Sequence, residues 1–132
     1  MTSMKSFALC LAACGLLLTG CDNQVSYTED IQPILFASCL SCHDQNSEGF
    51  LNSGFSLDSY ESVMKGTKFG AVVVPGSAES SSLYLVVAHK TAYEIHMPPH
   101  THDALAEGRG VSLTEEQIET IKLWIEQGAL NN

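Results

Sequence analysis

The chain has 132 residues, a formal net charge of −9 and five cysteines. That length fits one small domain. The acidic balance argues against nucleic acid, which selects basic surfaces, and against electrostatic adhesion to anionic lipid.

The first segment reads as an address. Lys5 is the only charge before Cys21, and Phe7 to Leu18 is a nearly unbroken apolar run. Its length suits the apolar region of a signal peptide and is too short to span a bilayer. Leu18-Thr19-Gly20-Cys21 closes it and resembles the lipobox of bacterial lipoproteins. In that family the cysteine takes a diacylglycerol and becomes the first residue of the processed chain. Leu11-Ala12-Ala13-Cys14 competes, but the apolar run before it is short and Gly15 to Leu18 would be left exposed. The expected division is residues 1–20 as a lipoprotein signal peptide, 21–27 as a lipidated tether at Cys21, and 28–132 as the folded domain. Every acidic residue and all basic ones except Lys5 lie beyond the signal. Acyl chains must therefore hold the protein to the lipid bilayer, and two or more do so stably. The expected location is the periplasmic side of a bacterial membrane.

The next elements lead to the chemistry. Asp30 is the expected N-cap of a helix whose apolar residues Ile31, Ile34 and Leu35 recur at helical spacing. Pro33 is tolerated in its first turn, where backbone N–H groups lack partners. The helix runs into Cys39-Leu40-Ser41-Cys42-His43. Two thiols three positions apart, followed at once by an imidazole, form the covalent attachment pattern for c-type haem. Each sulfur can add to one vinyl group of the porphyrin, and the imidazole can turn under the ring and ligate iron. The cysteine accounting agrees. Cys10 and Cys14 leave with the signal and Cys21 carries lipid, so only Cys39 and Cys42 remain and no disulfide framework is possible.

Beyond the motif, Asp44 to Phe55 is rich in Gly, Asn and Ser and reads as loop. Asp58 or Ser59 caps a short helix through Tyr60, Val63 and Met64, ended by Gly66. Ala71 to Val74 is extended, Pro75-Gly76 turns the chain, and Ser80 to Ser82 offer caps for a helix from Leu83 to about His89. Residues 90–111 read mostly as loop. The last helix has a Thr114/Gln117 capping box, an Ile118, Ile121 and Ile125 stripe widened by Leu123 or Trp124, and a stop at Gly128. The sum is an all-α domain of four helices.

Only Met64 and Met97 remain as thioether candidates for a second iron ligand once the signal is removed. Met64 continues an apolar helix face and reads as core filling. Met97 sits in a polar loop stiffened by Pro98 and Pro99, which suits a thioether held at a fixed distance from iron. His96 is its rival. His89, His96, His100 and His102 form a further imidazole-rich group that reads as solvated, with a separate metal site as the lesser alternative.

The order of these segments resembles class I c-type cytochromes, most closely the small cytochrome c domains of planctomycetes. The likeness runs from about Tyr27 to Ala129. It includes Asp30 to Leu35 before the haem motif, Phe55-Ser56-Leu57-Asp58, Val74-Pro75-Gly76 with Ser81-Ser82-Leu83, Met97-Pro98-Pro99, Leu113 to Glu116, Trp124-Ile125 and Gly128-Ala129. The resemblance implies three to five helices around one covalently bound haem c, with thioethers at Cys39 and Cys42. It also implies iron ligated by His43 and Met97, and a Val72–Gly76 segment bordering the haem. Departures are the extra histidines around Met97 and an enlarged Thr101–Val111 loop, whose Arg109 is a candidate for a haem propionate.

The leading functional expectation is an electron carrier rather than an enzyme, passing electrons to redox protein partners in the periplasm or membrane. A haem-based small-molecule sensor or peroxidase-like domain with a labile distal ligand is the alternative. A third reading, a zinc module built from Cys39, Cys42, His43 and a loop histidine, meets an unusual spacing.

Overall fold

The computed structural model describes residues 23–100, 102–108 and 111–132. The expected signal segment, Cys21 and Arg109 lie outside the described residues. Among those described the chain is all-α, with seven α-helices and no strand. In chain order they are α1 (Gln32–Ser38), α2 (Leu40–His43), α3 (Glu48–Ser53), α4 (Tyr60–Lys65), α5 (Ser82–Val87), α6 (His102–Ala106) and α7 (Glu115–Glu126). Three more than expected arise from short turns. α2 is the haem motif itself, and α3 and α6 fall in stretches expected to be loop.

The chain enters α1 through a π-type turn at Tyr27–Ile31. Its cap is Ser26, not Asp30. The Ser26 hydroxyl accepts from the Glu29 N–H at 3.1 Å, and the Asp30 carboxylate accepts from the Ser26 N–H at 2.8 Å. This is a reciprocal cap stretched by one residue. The Ile31 N–H reaches back five residues to the Ser26 carbonyl at 3.2 Å. The wider turn therefore carries the acid one position later than an ordinary capping box.

α7 follows the sequence closely. Thr114 accepts from the Gln117 N–H at 3.2 Å, and the Gln117 side chain accepts from the Thr114 N–H at 2.9 Å. Ile121, Trp124 and Ile125 are buried, while Leu123 is 40% exposed. Trp124, not Leu123, widens the apolar stripe. Its ring centroid lies 5.6 Å from that of Tyr27 and 6.5 Å from that of Tyr60. Trp124 Nε1 donates to the Leu130 carbonyl at 3.0 Å, and the Tyr60 hydroxyl donates to the Ala129 carbonyl at 2.7 Å.

The two ends of the described chain are tied together. The Ser26 hydroxyl donates to the Asn132 carbonyl at 2.8 Å, and the Tyr27 N–H donates to the Asn132 side chain at 3.0 Å. The Gln127 amide accepts from the Val25 N–H at 2.8 Å and donates to the Asn23 carbonyl at 3.2 Å. Together with Ile31, Leu35, Leu57 and Val63, these elements form one core.

α5 stops at Val87, two residues before the expected end. His89 adopts φ 55°, and the Lys90 N–H bonds the Leu85 carbonyl at 2.9 Å. That is a left-handed C-terminal cap in which histidine takes the position glycine usually fills.

Candidate functional site

The Cys39–His43 segment forms one tight turn. Cys39 leaves α1 with its N–H bonded to the Leu35 carbonyl at 2.9 Å. The Cys42 and His43 N–H groups both donate to the Cys39 carbonyl at 3.1 Å. A single helical turn therefore puts both sulfurs and the imidazole on one side. No disulfide joins the cysteines, and both are half-buried. Burial, then the neighbouring Cys42, pushes the Cys39 thiol up to about 11.

The turn is strapped from two directions. The Ser47 hydroxyl shares its one proton between the carbonyls of Cys42 and Asp44. α3 then crosses so closely that a side chain on Gly49 would collide with the Cys42 carbonyl and crowd the His43 ring. On the other side, the Leu57 N–H bonds the His43 carbonyl at 3.1 Å. His43 Nδ1 lies 3.3 Å from the Phe55 carbonyl, and the two rings meet edge to face at 5.4 Å. A carbonyl only accepts, so Nδ1 carries the proton and Nε2 keeps its lone pair. Burial lowers the His43 pKa against the opposing pull of the Phe55 bond. The neutral ring with one nitrogen held by a backbone carbonyl is the form a metal ion takes.

Cys39, Cys42 and His43 line a pocket whose space, counting its open mouth, is about 900 Å³. The opposite walls come from Leu83, Val86 and Val87 of α5, from Phe55 and Val72, and from Ile95, Met97, Pro98 and Pro99. Those walls are almost entirely apolar, the environment a porphyrin face requires. Ser38, Ser53, Thr67 and Ser82 are its polar lining residues besides the motif itself, and no Lys or Arg lines it among the described residues. Met97 is anchored through its N–H, which donates to the Val86 carbonyl at 3.1 Å. The donor set and the apolar walls fit a covalently attached haem.

Other sequence expectations resolve as follows. Met64 packs against the core and does not line the pocket. His96 does not line it either. Its Nε2 lies 3.1 Å from the Thr91 carbonyl, and its ring stacks on His89. No loop histidine joins Cys39, Cys42 and His43 among the described pocket residues, so a Cys₂His₂ zinc set is not assembled. Only Val72 of the Val72–Gly76 segment borders the pocket, and the Gly76 N–H is tied instead to the Ile125 carbonyl of α7 at 2.7 Å. Ser47, Gly49 and Phe55 were missed as site residues. Phe55 had a signal, since it opens one of the family-like segments. Ser47 and Gly49 had none beyond a loop-like composition.

The Cys39–His43 turn and a proline-backed methionine on one apolar pocket, within an all-α fold, are the parts a c-type cytochrome domain requires. Residues 39–101 match the family described as Planctomycete cytochrome C, which supports a cytochrome c domain of the planctomycete type over that stretch. The match covers the motif, the pocket and the Met97 segment, and stops short of α7 and the π-type turn. No curated protein and no solved structure matches the chain.

Proposed function

We propose that this protein is a membrane-tethered periplasmic electron carrier with a single haem c. Cys39 and Cys42 hold the porphyrin through thioethers, and His43 and Met97 ligate the iron. The supporting observation is that these four side chains line one apolar pocket. When bound, the haem supplies reversible one-electron chemistry at iron. The chain's own part is to orient His43 through Phe55, to hold Met97 on α5 and to exclude water with α5 and the two prolines. Were His43 and Met97 both to hold the iron, no position would be left there for substrate, which favours a carrier over an enzyme.

The lipobox and the acidic charge support removal of residues 1–20, acylation of Cys21 and a folded domain from residue 28. Metabolic labelling with palmitate should mark the protein, and Cys21→Ala should abolish the label. The partners are redox proteins of the periplasm or membrane, and contacts that release quickly suit such exchange.

The decisive experiment is export with a haem-attachment system, followed by denaturing gel haem stain and redox spectroscopy. Replacing both Cys39 and Cys42 with Ala should abolish stain that survives denaturation. Met97→Ala should keep the stain, admit carbon monoxide and lower the potential by a sizeable part of the ~0.8 V range that axial ligation controls. Exported protein without iron would overturn the proposal. Rapid carbon monoxide binding by the unsubstituted protein would favour the sensor or peroxidase-like reading.

A further inference from the structure

Three imidazoles converge at the surface beside the Met97 segment. Ring nitrogens of His89, His96 and His100 all lie within 4.8 Å of one another. The Nε2 atoms of His89 and His100 are 3.3 Å apart. That separation is about the edge of a tetrahedron built on metal–nitrogen bonds of roughly 2.0–2.1 Å. His89 and His96 stack in nearly parallel planes with centroids 4.4 Å apart, so one ring turns before both lone pairs meet one ion, and His100 meets His89 edge-on at 5.0 Å. Tyr93 packs beside His96 and His100, with ring centroids 5.5 Å and 6.2 Å away.

Two further features prepare these rings. His96 Nε2 faces the Thr91 carbonyl, so its proton is held there and Nδ1 keeps the lone pair. Metal-bound imidazoles are oriented in this way. His89 reaches the group from a left-handed backbone conformation, at the cap position where glycine is cheaper. No carboxylate or thiolate joins the group among the described residues. Three imidazoles select zinc, copper or nickel over magnesium or calcium.

We propose that His89, His96 and His100 form a binding site for a divalent late transition-metal ion, separate from the pocket lined by His43 and Met97. His96 directly precedes Met97, and His100 directly follows Pro99. An ion held by all three rings staples the Met97 segment to the end of α5. This link to the iron rests on Met97 being its ligand, whereas the ion site does not.

The test uses chelator-treated holoprotein titrated with zinc chloride by calorimetry, with elemental analysis after desalting. One zinc per chain is expected, with no response to magnesium chloride. His89→Gln and His100→Gln should each weaken binding by at least the roughly 10–100-fold that loss of an outer partner costs at metal sites. His102→Gln should change nothing, because His102 is almost fully exposed beside Asp103 and outside the group. No zinc binding, or binding indifferent to His89→Gln and His100→Gln, overturns the site and leaves a hydrogen-bonded histidine cluster only. In a second measurement zinc should raise the haem potential, since a nearby cation favours the ferrous state. Zinc binding with an unmoved potential overturns the link to Met97 alone, and failure of haem attachment strikes the electron-carrier reading, not the zinc site.

Discussion

Gly49 is where the absence of a side chain does most. α3 packs on the attachment turn only because nothing projects from that position toward the Cys42 carbonyl. Gly49→Ala should cost about 1–3 kcal/mol, the usual range for overpacking, in guanidinium unfolding of the haem-loaded protein. It should also lower haem loading. Tyr27 gives the opposite case. Its hydroxyl is buried with no hydrogen-bond partner among the described residues, and burial, then the charge of Glu61, pushes its pKa up to about 12. Tyr27→Phe should therefore leave stability at neutral pH unchanged or higher, by up to the roughly 1–3 kcal/mol that an unmet buried hydroxyl costs. The sign at alkaline pH follows from the raised value. The contribution of neutral Tyr27 is whole below its ordinary pKa of 10.0 and is lost as pH climbs through about 12. Thermal melts over that interval should fall more steeply for the native chain than for Tyr27→Phe. Cys39, Cys42 and His43 were legible because bond chemistry dictates their spacing. Gly49 and Ser47 were not, because their roles depend on a neighbour that approaches through space.

Among the helices, legibility follows length and capping. α7 carries twelve residues, a full capping box and a regular apolar stripe, and it forms where the sequence puts it. Thr114→Ala removes one half of that box and should cost about 1 kcal/mol by chemical denaturation, within the range for N-cap loss. α3 and α6 have six and five residues and weak local propensity. Isolated helices that short do not persist in water, so tertiary contacts must hold them, and periodicity has little to report. The Lys68 N–H, bonded to the Ser53 carbonyl at 2.9 Å, is one such support for α3. The entry to α1 was misread by one turn because a π-type turn spaces its cap partners differently. The end of α5 was misread because histidine occupies a cap position where glycine would have announced the stop.

Across the whole molecule, Trp124 joins the two ends of the described chain. It is fully buried, touches Tyr27 and Tyr60, and bonds Leu130. Trp124→Ala should destabilise the fold by about 3–5 kcal/mol, the cost of emptying a large aromatic site. The measurement is the unfolding midpoint of the haem-loaded protein, and a loss under 1 kcal/mol, as for an ordinary surface change, would count against this account of the core. The all-α architecture and the pocket's first wall were legible together, since both radiate from one motif. The imidazole group was legible only as a composition, because its convergence depends on how residues 89–100 turn. The knot between residues 23–28 and 127–132 has a practical corollary. Among the described residues none upstream of Ser38, and none of α7, lines the pocket. A leash, label or fusion partner spliced ahead of Asn23 thus loads the knot while leaving the pocket walls untouched, so the same unit can be hung on many scaffolds without reshaping its cavity.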